Sequence, residues 1–227
     1  MSKNQIGVII PAAGMGRRMK SYGPKPLIRI GNSTIIKNQI HLIRTYIPHP
    51  LIVLVCGFQA KALMNQTPAS ILKIENERYE ETNVVRSIGM ALRVIDSCSK
   101  IIIIYGDLVF NSATLRNLKF DKSSLIVTEQ GMSDEEVGCV IDENNRVSNL
   151  MYDLPTKWSQ IGIFVGKELK LLKQLAWDEK NQTKFGFEII NQIIDQGGVF
   201  KCIENKDIKI VDIDSSKDIK KAKEILL

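Results

Sequence analysis

Histidine is nearly missing from this sequence: His41 and His49 are its only two. Cysteine is sparse as well. Cys56, Cys98, Cys139 and Cys202 are widely spaced and form no C-x-x-C pair. A zinc site is therefore not expected, and reduced thiols in a core are the default reading. No serine-hydrolase elbow and no nucleophile–base pair is visible. Long hydrophobic runs are lacking. The stretch Ile6 to Ile10 is too short to span a membrane and has the wrong flanks for a signal peptide, so no membrane association is expected and a cytoplasmic location follows by elimination. There is no repeat, low-complexity tract or Pro/Gly/Ser linker, and 227 residues suit one α/β domain. Basic residues outnumber acidic ones, 31 to 25, for a net charge of +6. No stretch interleaves clustered Lys/Arg with aromatics, so no nucleic-acid groove is expected; the excess suits solvated faces or a small polyanionic ligand.

What is present is an alternation of apolar runs with helix-period segments. Ile6 to Ile10 reads as a buried strand closed by Pro11 and Gly14. Ile36, Ile40, Ile43 and Ile47 share one helical face, and Pro48 and Pro50 stop that helix. Leu51 to Cys56 is a second buried strand, Ile71 to Ile74 a weaker third. A helix over about 83–95 leads to Ile101–Tyr105, the most β-like run, which ends at Gly106-Asp107. Strands alternating with helices predict a Rossmann-like, doubly wound, mostly parallel sheet. After about residue 120 the runs shorten. Leu125–Thr128, Val137–Ile141 and Arg146–Leu150 predict a small antiparallel subregion, with Asp142–Asn145 as a hairpin turn. A strand at Ile161–Val165, helices near 167–176 and 186–196, strands near 199–203 and 208–213 and a last helix from Ser215 complete the chain. The expected organisation is a single domain, 1–227, with a nucleotide-binding half over about 1–120 and an acceptor half over about 121–227.

The informative loop follows the first strand: Pro11-Ala12-Ala13-Gly14-Met15-Gly16-Arg17-Arg18-Met19. Small residues allow close backbone approach, and successive N–H groups can form a concave anion site. Arg17 and Arg18 add charge beside it, and Lys25 sits between Pro24 and Pro26. A dinucleotide fingerprint would need a third glycine where Met19 stands, and the P-loop pattern is absent. Glycine-rich turns after first strands are also common without any ligand. The arginines and the Pro24-Lys25-Pro26-Leu27 segment favour phosphate.

This loop, with Pro24-Lys25-Pro26-Leu27, resembles the signature of nucleotidyltransferases with a glycosyltransferase-A-like fold, among them sugar-1-phosphate, phosphocholine and methylerythritol-phosphate nucleotidyltransferases. The resemblance implies that Ala12, Ala13, Gly14, Met15 and Gly16 wrap base, ribose and phosphates. It implies that Arg17 and Lys25 neutralise the triphosphate and that Asp107, after its strand, binds the metal. Read as a residue, Asp107 could equally be a turn former. The segment Val211-Asp212-Ile213-Asp214-Ser215 resembles the closing acidic motif of these enzymes, which implies that Asp212, Asp214 or both complete the metal site with Asp107. Alternation along a regular strand would put the two on one face, whereas Asp214 could be only a helix cap. Mg²⁺ suits such a site, being a hard ion held by a few carboxylates and phosphate oxygens.

Asn76, Tyr79 and Thr82-Asn83-Val84-Val85-Arg86-Ser87 resemble the stretch bordering base and ribose in phosphocholine cytidylyltransferase-like proteins. That favours CTP, with Asn83 and Ser87 at the nucleotide; as a residue, Asn83 is also a natural helix cap. The methylerythritol-phosphate likeness ends where Asp107 is followed by Leu108-Val109-Phe110, and the Glu-Lys-Pro segment of the sugar enzymes has only a loose echo at Leu154-Pro155-Thr156-Lys157. Lys157, Trp158 and Gln160 are the expected acceptor-binding residues, with Trp158 either an aromatic wall for a cationic group or a plain core tryptophan. The expected partners are a nucleoside triphosphate and a small phosphorylated alcohol or sugar; a homodimer is among the states the sequence allows. The alternatives are a sugar-1-phosphate uridylyl-, thymidylyl- or guanylyltransferase and a catalytically silent nucleotide-binding module.

Overall fold

A computed structural model describes residues 5–16, 23–128 and 136–226. In chain order its strands and helices are β1 (Ile6–Ala12), β2 (Arg29–Ile30), β3 (Ser33–Thr34), α1 (Ile35–Tyr46), β4 (Pro50–Cys56), α2 (Ala60–Asn65), β5 (Leu72–Glu75), α3 (Val84–Val94), β6 (Lys100–Ile104) and β7 (Leu108–Phe110). There follow β8 (Ser124–Thr128), β9 (Val137–Ile141), β10 (Arg146–Tyr152), β11 (Thr156–Val165), α4 (Gly166–Trp177), α5 (Gly186–Asp195), β12 (Phe200–Ile203), β13 (Ile210–Asp212) and α6 (Ser216–Leu226). Nine strands form one sheet in the order β5-β4-β1-β6-β11-β8-β12-β10-β9.

The first four are parallel, and their continuous apolar runs are explained by cores on both faces. In β1, Ile9 enters the core beneath α3, α4 and α5. Its neighbours Val8 and Ile10 enter the opposite core, which α1 and α2 cover. Val53 and Val55 against Ile52 and Leu54 in β4, and Ile101 and Ile103 against Ile102 and Ile104 in β6, repeat this two-residue alternation. In α1 the predicted stripe Ile36, Ile40 and Ile43 is buried, and Thr34 caps the helix by accepting from Lys37 N–H.

Beyond β6 the sheet is mixed. Strand β11 runs antiparallel to both β6 and β8, whereas β8 and β12 are parallel. The hairpin β9–β10 turns at Asp142, whose carboxylate accepts from the backbone N–H groups of Asn144 and Arg146. Two features depart from the sequence reading. Strand β11 begins at Thr156 rather than Ile161, because Thr156, Lys157 and Trp158 find ladder partners in β8 and β9. Strand β13 leaves the main sheet and pairs antiparallel with β7 in a separate ribbon, Asp212 opposite Leu108. A small third core (Ile28, Ile30, Ile35, Val109, Val211, Ile213 and Ala222) fastens α6 and this ribbon beneath the start of α1. Among the described residues, no helix is long and apolar enough to cross a membrane.

Candidate active site

The carboxyl ends of β1, β5 and β6 open on one cleft of about 350 Å³. Open α/β sheets place ligands outside these strand ends. Ala12, Ala13, Gly14, Gly16 and Lys25 line one wall; Asn76, Tyr79, Thr82, Asn83 and Ser87 line a second; Asp107, Asp212, Asp214, Glu136 and Gln160 meet at the floor. Met15 and Lys157 are not among the lining residues. Arg17, Arg18 and Met19 lie outside the described residues.

The glycine loop leaves β1 at Ala12, and its Ala13 carbonyl accepts from Phe58 N–H at 3.0 Å. Gly16 has φ +53°, a conformation suited to glycine. A Cβ there would also lie 3.1 Å from Cγ of Lys25, so the lysine stem runs along this residue. Pro24 and one 3₁₀ turn over Lys25–Leu27 fix the backbone from which that stem extends.

Asp107 is held from three directions. Gly106 N–H donates to the Pro11 carbonyl at 3.0 Å, and the Asp107 carbonyl accepts from Ile213 N–H at 3.1 Å. Gln39, buried in α1, donates its amide to the Tyr105 and Leu108 carbonyls at 2.9 and 2.8 Å, bracketing the turn. Gly106 is needed by close approach: a Cβ there would meet Cβ of Ala12 at 2.8 Å. Gln39 escaped the sequence reading because a lone glutamine in a helix carries no signal of what it will reach.

Two lysines divide the carboxylates. Lys25 donates to Asp107 at 3.0 Å and to Asp214 at 2.6 Å. Lys157, on β11, donates to Asp212 at 2.8 Å and to Glu136, whose role the sequence did not suggest. Gln160 Nε2 lies 3.4 Å from the other oxygen of Asp212. Burial works to lower both ammonium groups, but the paired carboxylates more than offset it and hold them above the ordinary lysine value. Burial pushes the Asp107 carboxyl up; Lys25 opposes this, and the nearby charges of Asp212 and Asp214 add to it. Those three carboxylates therefore feel one another across the floor. Lys25 acts there as a stand-in cation, and the all-oxygen donor set suits a hard divalent ion. As the side chains stand, no group of three His, Cys, Asp or Glu among the described residues is gathered tightly enough to hold a metal. Asp212 and Asp214 are not equivalent, since Asp212 ends a strand and Asp214 lies beyond it. The cap of α6 is instead built on Asp218, which accepts from Ser215 N–H at 2.7 Å.

On the second wall, Asn76 donates to Thr82 Oγ1 at 3.1 Å and lies 3.4 Å from Ser87 Oγ. Asn83 caps α3, accepting from Val84 N–H at 2.8 Å, while also lining the cleft. The far end is aromatic. Tyr105 and Trp158 meet edge to face at 6.0 Å, Tyr152 and Phe187 at 5.6 Å, and Phe185 stacks on Phe187 at 5.9 Å. Trp158 is 5% exposed, whereas Tyr152 and Phe185 are open to the cleft mouth. A register shift between Trp158 and Gly162, with Gln160 at φ +57°, bends β11 where it passes the cleft. The sequence named Trp158 and Gln160 but not Tyr105, Tyr152, Phe185 or Phe187; single aromatics on separate elements form no motif.

Comparison with known proteins agrees with this architecture. Residues 8–131 match the family profile of the MobA-like NTP transferase domain. The bifunctional protein GlmU of Buchnera aphidicola subsp. Acyrthosiphon pisum (strain APS) is 25% identical over 218 residues, covering 90% of this chain and 47% of the relative. The chain thus spans about half the length of that curated relative. Among solved structures, the CTP:phosphocholine cytidylyltransferase LicC from Streptococcus pneumoniae superposes with a TM-score of 0.80 at 18% identity, over 97% of this chain and 98% of that one. The inositol-1-phosphate CTP transferase from T. maritima superposes with a TM-score of 0.75 at 15% identity, over the whole of both chains. At such identities these likenesses show the glycosyltransferase-A-like nucleotidyltransferase fold. With more than half its length matched, the chain belongs to the MobA-like NTP transferase domain family.

Proposed function

We propose that this protein is a magnesium-dependent cytidylyltransferase that joins CTP to a small phosphorylated alcohol and releases pyrophosphate. The observation that carries this reading is the meeting of the glycine loop, Lys25 and the aspartates from residues 107, 212 and 214 in one cleft. Among the described residues, Glu136 and these aspartates supply four carboxylates against two lysines. A triphosphate can approach such a floor only with a counter-cation. Mg²⁺ held by Asp107 with Asp212 or Asp214 would neutralise phosphate oxygens and polarise the α-phosphoryl group.

The chain's own groups do the rest. Backbone N–H groups of Ala13 to Gly16 cradle the phosphates, with Arg17 and Lys25 adding charge. Asn76, Asn83 and Ser87 offer short polar groups to base and ribose. The acceptor's phosphate oxygen attacks the α-phosphorus in line. The new O–P bond forms as the bond to the β-phosphate breaks, and the electron pair leaves on pyrophosphate. The acceptor phosphate is already anionic, so no general base is required. Catalysis is positioning and charge neutralisation. The nucleotide-binding half is assigned to about 1–120 and the acceptor half to about 121–227, the latter returning Asp212 and Asp214 to the floor.

CTP is favoured by the likeness of Asn76–Ser87 to the phosphocholine enzymes and by the CTP named for both structural neighbours. At the acceptor end, Gln160 adds a polar contact and Lys157 backs Asp212. The edge-to-face aromatics beside Trp158 suit a compact cationic head such as that of phosphocholine better than a sugar ring with many hydroxyls to satisfy. The test is pyrophosphate release from each NTP with Mg²⁺ across phosphocholine, polyol phosphates and sugar 1-phosphates. Turnover with CTP and phosphocholine is expected. Turnover with UTP or dTTP and a sugar 1-phosphate would replace this reading with a sugar nucleotidyltransferase, and nucleotide binding without turnover with any acceptor would leave a silent module.

A further inference from the structure

We propose that Lys25 is a built-in counter-cation: it occupies the metal-binding carboxylates until a triphosphate draws it away, so that divalent cation and nucleotide bind together. The inference rests on the metal site proposed above and adds an order to its filling. The ammonium bridges Asp107 at 3.0 Å and Asp214 at 2.6 Å, joining carboxylates from distant parts of the chain. A divalent ion held by Asp107 and Asp214 would compete with the ammonium for the same carboxylate oxygens. The two cations exclude each other. The Lys25 side chain is only 14% exposed, so an ammonium displaced without a new partner would lose two charge-assisted bonds and regain little from water.

The geometry also supplies the receiver. The stem of Lys25 lies along Gly16, in the loop that lines the cleft. A triphosphate on that loop puts its oxygens beside the same stem. A rotation of the side chain then exchanges two carboxylates for phosphate and frees the floor for the cation. Lys157 makes the contrasting case. It binds Asp212 and Glu136 in the same manner, but it is more deeply buried and does not line the cleft. The coupling is reciprocal, so nucleotide strengthens cation binding by the factor by which cation strengthens nucleotide binding.

Mn²⁺ binding to the full-length, nucleotide-free protein, followed by electron paramagnetic resonance, tests this. Lys25→Met and Lys25→Gln are expected to bind Mn²⁺ about tenfold more tightly than wild type, because the competing charge is gone. Lys25→Arg keeps a cation between the carboxylates and should stay near wild type. Added CTP should raise Mn²⁺ affinity by a larger factor in wild type than in Lys25→Met. Mn²⁺ should also raise the melting temperature of Lys25→Met and Lys25→Gln more than that of wild type, a measurement that reports on folding at the same time. Unchanged or weaker Mn²⁺ binding by both neutral variants without nucleotide overturns the inference. Wild-type protein that binds no CTP with Mn²⁺ present would instead overturn the cytidylyltransferase reading, and the nucleotide-free arm tells the two failures apart.

Discussion

The two ends of the cleft are built by different means. The end proposed for the nucleotide combines the glycine loop after β1 and the turn after β6 with short polar side chains at the start of α3. The end proposed for the acceptor is mainly larger side chains: Trp158 and Gln160 from β11, Tyr152 from β10, and Phe185 and Phe187 around the start of α5. A backbone surface changes little when a residue is exchanged, whereas a side-chain surface changes with each substitution. The lysines follow the same division. Lys25 faces the cleft and is the lysine proposed to exchange partners; Lys157 is more deeply buried and, on the same proposal, is a fixture.

The comparison can be broken first at Asp107. Asp107→Asn keeps the turn but removes the charge, and kcat should fall about 10³-fold, the scale of losing one electrostatic contact to the transition state. Single-turnover kinetics check this, and a loss under tenfold would detach Asp107 from the chemistry. Next is Lys157→Met. Lys157 and Asp212 are 8% and 10% exposed, so the variant leaves buried carboxylates unpaired and should cost about 3 kcal/mol in denaturant unfolding. Lys25→Met, in the more open part of the floor, should cost less; the reverse order would cancel the distinction between a fixture and a movable cation. The acceptor end is probed by Tyr152→Ala and Phe187→Ala, each expected to raise the acceptor KM about tenfold, or about 1.4 kcal/mol, with the KM for CTP unchanged. A matching rise for CTP would mean that the two ends are not separate.

One further effect lies away from the cleft. Burial, with Glu75 nearby, pushes the Cys56 thiol from 9.0 up to about 12. The unfolded chain ionises first, so this thiol's contribution is intact below pH 9 and is lost as pH rises from 9 toward 12. Unfolding free energy should therefore fall with pH in that window at up to about 1.4 kcal/mol per pH unit, and Cys56→Ala should make the slope shallower. Equal slopes in the two proteins would remove the thiol as a cause.

The parallel half was legible because its signals are local. Runs such as Ile101 to Ile104, buried on both faces, and stripes such as Ile36, Ile40 and Ile43 identify a strand or a helix from neighbours alone. The start of β11 was not legible, because Thr156 and Lys157 read as loop until the ladders of β8 and β9 are beside them. Gln39 and Glu136 were invisible for the same reason: a polar side chain does not announce a partner many residues away.

By itself, the sequence determined the alternating α/β order, the glycine loop after β1 and the acidic residues that end β6 and β13, since these depend on periodicity, glycine conformation and strand ends. Only the tertiary structure decided that β13 would leave the main sheet for β7, which brings Asp212 and Asp214 to Asp107, and that Lys25 and Lys157 would share out the carboxylates between them. Pairings over such separations are fixed by how sheet, ribbon and helix α6 pack around the small core of Ile28, Val109, Val211 and Ile213, and no local pattern encodes that packing.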